Sequence, residues 1–117
     1  MVEDDEHVRQ LAAAVLERDG FEVLQAGDAR EAAEIWFQHN QRIDLLLTDV
    51  VMRGWTGPDI ARELLATRPD LKIIFTSGYD QQSASQTANI VNDAKFISKP
   101  YSVKSLLEIV RGCFDSR

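Results

Sequence analysis

Short apolar runs alternate along this chain with segments whose apolar residues recur at helical spacing. Five strands are predicted, at Met1 to Glu3, Phe21 to Ala26, Ile43 to Thr48, Leu71 to Ser77 and Ala94 to Ser98. Alternation of this kind marks a parallel sheet whose strands are joined by crossover helices. Ile43 to Leu47, but for Asp44, and Ile73 to Phe75 are read as continuous apolar runs, as strands covered on both faces must be.

The intervening segments predict five helices. Val8, Leu11, Ala12, Val15 and Leu16 form the buried stripe expected of the first, and Gly20 closes it. The second starts at Asp28, with Glu31 three residues on as an acidic capping box, and turns Ala29, Ala32, Ala33 and Trp36 inward. Pro58 opens the third, whose apolar face is Ile60, Ala61, Leu64 and Leu65. From Gln81 to Asn92 polar residues outnumber apolar ones, so the fourth helix is expected to be marginal. The fifth follows Pro100 and presents Val103, Leu106, Leu107, Val110, Cys113 and Phe114 on one broad face.

The chain of 117 residues has room for one core, and a single domain over residues 1–117 is expected. Its first strand looks clipped, because only Met1 and Val2 precede an acidic cluster; an earlier start within a longer protein is the expectation. A net charge of −6 argues against direct nucleic-acid binding by this domain. No stretch approaches the ~20 apolar residues of a membrane span. The single cysteine, Cys113, and the lack of an apolar leader at the start point to the cytoplasm.

In an open parallel sheet, ligands bind outside the carboxyl ends of the strands. That rule gathers Glu3, Asp4 and Asp5 after the first strand, Asp49 after the third, Thr76 and Ser77 at the end of the fourth, and Lys99 after the fifth. Carboxylates in one crevice repel, and a hard divalent cation, Mg2+ or Mn2+, is the ordinary remedy. Phosphoryl transfer needs a nucleophile, counter-charge and a hydrogen-bond donor that follows the moving group. Asp49 can attack phosphorus, Lys99 supplies the charge, and the hydroxyl of Ser77 or Thr76 can donate.

These residues stand in a specific order: Glu3-Asp4-Asp5, Leu45-Leu46-Leu47-Thr48-Asp49, Gly57, Ile73-Ile74-Phe75-Thr76-Ser77-Gly78 and Lys99-Pro100. From Val2 to Phe114 the chain resembles the response-regulator receiver domains of two-component phosphorelay systems. The resemblance implies a flavodoxin-like three-layer sandwich, with a five-stranded parallel sheet in the order 2-1-3-4-5 and five helices. It also implies that Asp49 accepts a phosphoryl group from the phosphohistidine of a histidine kinase or histidine phosphotransfer protein. Asp4, Asp49, the backbone carbonyl of Val51 and Glu3, the last through water, would hold Mg2+. Ser77 and Phe96 would be the switch pair, acting on the surface of the fourth helix, fifth strand and fifth helix. Lys99 would stand before a cis bond to Pro100.

On that reading the domain is no free enzyme but catalyses its own modification. The run Phe75-Thr76-Ser77-Gly78-Tyr79 looks more like the receivers fused to hybrid kinases than like free-standing regulators. Arg53 stands where a proline often follows Met52, and Phe96 lacks the hydroxyl of a tyrosine switch ring. Apolar Val51 and bulky Tyr79 predict slow loss of the phosphoryl group to water.

Rival readings are weaker. A haloacid-dehalogenase-type phosphatase normally needs a second Asp two residues after its nucleophile, and position 51 is valine. A flavin binder of the same fold would wrap phosphate in a glycine- and hydroxyl-rich first loop, which here is carboxylate-rich. A receiver that no longer cycles phosphate and serves only as a docking module is the remaining alternative. Trp36, Trp55, His7, His39 and Cys113 are read as packing or solvated residues without chemistry.

Overall fold

The computed structural model describes residues 1–39, 42–50, 57–77 and 94–115. The helix expected over 81–92, together with Val51, Met52, Arg53, Trp55, Gly78, Tyr79 and the side chain of Ser77, lies outside the described residues. The elements in chain order are α1 (Glu6–Arg18), α2 (Ala29–Gln38), β1 (Leu45–Asp49), α3 (Gly57–Thr67), β2 (Lys72–Ser77), β3 (Lys95–Ser98) and α4 (Val103–Asp115).

β1, β2 and β3 form one parallel sheet in that order. Val2 continues it on the other side of β1, bridging Thr48 and Ala26 in parallel. The lateral order is therefore Ala26, Val2, β1, β2, β3, the expected 2-1-3-4-5 arrangement. The first two expected strands shrink to single bridges, which corrects their predicted extent. Val2 donates to Leu47 O at 2.8 Å, Glu3 to Ala26 O at 3.0 Å and Ala26 to Met1 O at 2.8 Å. Ile43 also falls outside its strand: its carbonyl accepts from Arg68 Nη1, and the exposed Asp44 side chain pairs with Arg68 at 3.1 Å.

Alternating side chains fill two cores. Leu46, Ile73 and Phe75 meet Ala32 and Trp36 of α2 and Ile60, Ala61 and Leu64 of α3. On the opposite face Leu47, Ile74 and Ile97 meet Ala12 and Leu16 of α1 and Leu106, Val110 and Cys113 of α4. A sheet buried on both faces and sandwiched by helices is the three-layer arrangement that continuous apolar strands require.

Caps set the helix starts. Asp5 accepts from the amides of His7 and Val8 at 3.0 and 3.1 Å and so begins α1. Asp28 accepts from Glu31 N at 2.8 Å, while Glu31 Oε1 accepts from Gly27 N at 3.3 Å. The return bond of this acidic capping box thus lands one residue before the cap.

Three expected core residues lie outside. Leu11 is 64% and Val103 57% exposed, and Phe114 is exposed but stacks on Phe21 with ring centroids 5.7 Å apart. α1 meets the sheet through Ala12, Ala13 and Leu16, whose small members allow close approach. Leu11 is thereby turned to the rim of an apolar groove of about 730 Å3 that Val103, Pro100 and Tyr101 also line.

Candidate phosphoacceptor site

Each strand of the sheet delivers one chemical group to the same edge. Asp49 is the last residue of β1, in register with Thr76 of β2, and Val50 N donates to Thr76 O at 3.0 Å just beyond. Lys99 follows β3, and its bond to Pro100 is cis, as the resemblance implies. Glu3 and Asp4 follow the Val2 bridge, where the carbonyl of Glu3 accepts from Arg9 Nη1 at 2.8 Å. α1 thus clamps the acidic turn through its second turn as well as through the Asp5 cap.

Gly57 fixes the far wall. Its amide donates to Val50 O at 2.8 Å, and a Cβ there would stand 2.0 Å from Asp49 O. Only a residue without a side chain allows the start of α3 this close to the Asp49 backbone.

The Lys99 ammonium lies 2.7 Å from Asp49 Oδ1 and 2.9 Å from Oδ2, and it also donates to Glu3 Oε1. Thr76 Oγ1 donates to Asp49 Oδ1 at 2.5 Å. Asp49, Glu3 and Thr76 are 7%, 5% and 4% exposed, so these charges meet largely out of water. Burial and the hydrogen bond with Asp49 push the Glu3 carboxyl up to about 7, against the opposing pull of Lys99 and of the Asp5 amide. Burial alone would lower the Lys99 pKa; the two carboxylates outweigh it and hold the ammonium above its ordinary range. Half-buried Tyr101 stands close enough to feel the same charges, and burial raises its phenol against the pull of Lys99.

Glu3, Asp4 and Asp49 each offer a carboxylate oxygen, and the three oxygens lie within 4.8 Å of one another. This all-oxygen, anionic donor set fits a hard divalent cation of the Mg2+ class. The structure brings together Glu3, Asp4, Asp49 and Lys99 from the expected set. Asp5, gathered with them from sequence, is spent on capping α1. Phe96 is half-buried and packs on Phe75 with ring centroids 5.6 Å apart. The Val51 carbonyl and the Ser77 side chain lie outside the described residues.

Sequence reasoning missed the Arg9 clamp, which joins residues six apart with no pattern to announce it. It offered Thr76 only as an alternative to Ser77. The in-register pairing of Asp49 with Thr76 was the missing information, since strand register is not printed in an isolated run.

Among the described residues no helix is long and apolar enough to cross a membrane. The family model for the response regulator receiver domain matches residues 1–111. The sensor kinase CckA of Brucella abortus is 38% identical over 113 residues, which cover 95% of this chain and 12% of CckA. The response regulator receiver protein CpdR of the same organism is 32% identical over 107 residues, covering 92% of this chain and 88% of CpdR. The chain therefore spans a small part of one relative and nearly all of the other. Among solved structures, the receiver domain of the hybrid histidine kinase CckA superposes with a TM-score of 0.81 at 34% identity, covering 96% of this chain and 94% of that one. The receiver domain of NtrX from Brucella abortus gives 0.87 at 23% identity, covering 99% and 97%, and so adds support for the fold alone. Motif order, sheet-edge geometry and these likenesses agree: the chain belongs to the response regulator receiver family and is a receiver domain of two-component signalling.

Proposed function

We propose that residues 1–117 form a working phosphoacceptor domain, in which Asp49 takes a phosphoryl group from the phosphohistidine of a histidine kinase or a histidine phosphotransfer protein. The observation that carries this reading is the placement of Lys99 Nζ at 2.7 and 2.9 Å from the two oxygens of buried Asp49. A carboxylate held against a compact cation at a sheet edge is a nucleophile with counter-charge in place for the incoming phosphoryl oxygens.

Asp4 and Asp49 would hold Mg2+ directly and Glu3 through water, with the Val51 carbonyl as a further ligand. Bound there, the cation supplies positive charge to phosphoryl oxygens and relieves the repulsion among the carboxylates. Asp49 attacks phosphorus through a carboxylate oxygen, the bond from phosphorus to the imidazole nitrogen breaks, and its electron pair leaves with the imidazole. Lys99 stabilises the transferred charge, and Ser77 moves toward the new oxygens. Ser77 and Phe96 are the switch pair of this proposal, and the half-buried Phe96 ring against Phe75 has an apolar neighbour to slide along.

Higher identity to CckA than to CpdR supports an origin in a hybrid kinase, as does the Phe75-Thr76-Ser77-Gly78-Tyr79 run. An acyl phosphate is attacked by hydroxylamine, so the test is hydroxylamine treatment of the phosphorylated protein followed by peptide mapping. Modification at Asp49, lost when EDTA is present during phosphorylation, is expected; a hydroxylamine-stable phosphoryl group would refute the assignment.

A further inference from the structure

Asp49 has a second donor besides the partly exposed Lys99, and this one is buried. Thr76 Oγ1 lies 2.5 Å from Asp49 Oδ1, and Thr76 is 4% exposed. The threonine hydroxyl is the donor and the carboxylate oxygen the acceptor. The geometry points to Thr76 as a positioning residue for phosphoryl transfer: its hydroxyl fixes the rotation of the Asp49 carboxylate about its Cβ–Cγ bond before the donor arrives. This inference rests on the phosphoacceptor reading and adds to it a residue that takes no phosphoryl group and binds no donor.

Three features suit Thr76 to this work. It is in register with Asp49 on adjacent strands, so both side chains leave the sheet together. The bond from Val50 N to Thr76 O, at 3.0 Å, locks the two backbones just beyond the pair. A β-branched side chain is stiff at χ1, which gives the hydroxyl little freedom to swing away.

Lys99 supplies a different constraint. Its ammonium sits near both carboxylate oxygens, at 2.7 and 2.9 Å, and also donates to Glu3. It neutralises charge without distinguishing one oxygen from the other. Thr76 touches one oxygen only, and so distinguishes Oδ1 from Oδ2. Orientation of a reacting group is a rate effect, and loss of it costs turnover before it costs stability.

The test compares the parent with Thr76→Val, which keeps the branched shape but removes the hydroxyl, and Thr76→Ser, which keeps the hydroxyl. Phosphorylation by phosphoramidate with Mg2+ is followed by intact mass over a range of donor concentrations, with thermal unfolding of each protein alongside. Thr76→Val is expected to slow phosphorylation roughly tenfold at every donor concentration, while Thr76→Ser stays within about threefold of the parent. Equal rates in Thr76→Val and the parent would overturn the positioning role and leave Asp49 as acceptor. Equal slowing in both variants would also overturn it, by assigning the loss to packing. A parent that gains no phosphoryl group would remove the acceptor reading and this one with it.

Discussion

Lys99 Nζ stands 2.7 Å from Asp49 Oδ1, joining two strand ends that are 50 residues apart in the chain. The same ammonium reaches Glu3, so one cation serves two buried carboxylates. Removing it leaves both without their counter-charge and strips the transition state of a fixed positive group. Lys99→Met is therefore expected to lower the rate of phosphorylation roughly 100-fold, the scale of losing one preorganised electrostatic contact. Phosphoryl gain over time by intact mass, with a circular dichroism check of folding, measures it. An unchanged rate would show that Lys99 only balances charge at rest.

Gly57 makes a different kind of contribution, through backbone approach. A methyl group at this position would stand 2.0 Å from Asp49 O and 3.2 Å from the Phe75 ring. Gly57→Ala must therefore push α3 away from the end of β1. A cost of about 2 kcal/mol or more is expected, with a fall in melting temperature on the order of 10 °C. Thermal unfolding checks this, and a melting temperature equal to that of the parent would show that the approach is not as close as described.

Cys113 is buried in the core between α4 and the sheet, and burial raises its thiol pKa against the pull of Lys95 and Lys72. Iodoacetamide at pH 8 is expected to label it at least roughly tenfold more slowly in the folded protein than in urea. The sign of the linked stability follows from the raised pKa. The neutral thiol favours the fold, so its contribution is complete below the unfolded value of 9.0 and is lost as pH rises through the folded one. Equal labelling rates in buffer and urea would contradict the burial.

Much of the site was legible in the sequence because strand ends announce themselves. Asp49 closes the run Leu45 to Leu47, and Lys99 follows Phe96 and Ile97, so the rule for parallel sheets placed both on one edge. What was not legible depends on register and on close packing. The partnership of Asp49 with Thr76 follows from pairing across two strands. Asp5 reads like its acidic neighbours, and only the amides of His7 and Val8 show that it is a cap. Leu11 fits the helical stripe by spacing, yet Ala13 takes the buried place because α1 lies close to the sheet. The first two strands were overextended because apolar residues at 21–26 satisfy the strand pattern, whereas pairing is a property of two segments and is here the single Val2–Ala26 bridge.

The central claim is that Asp49 is the phosphoacceptor. Its most direct test is the intact mass of the protein after incubation with Mg2+ and a small phosphodonor, beside Asp49→Asn treated in the same way. One added phosphoryl group in the parent and none in the variant is the expected result; equal gain in both, or no gain in a folded parent, would contradict the claim.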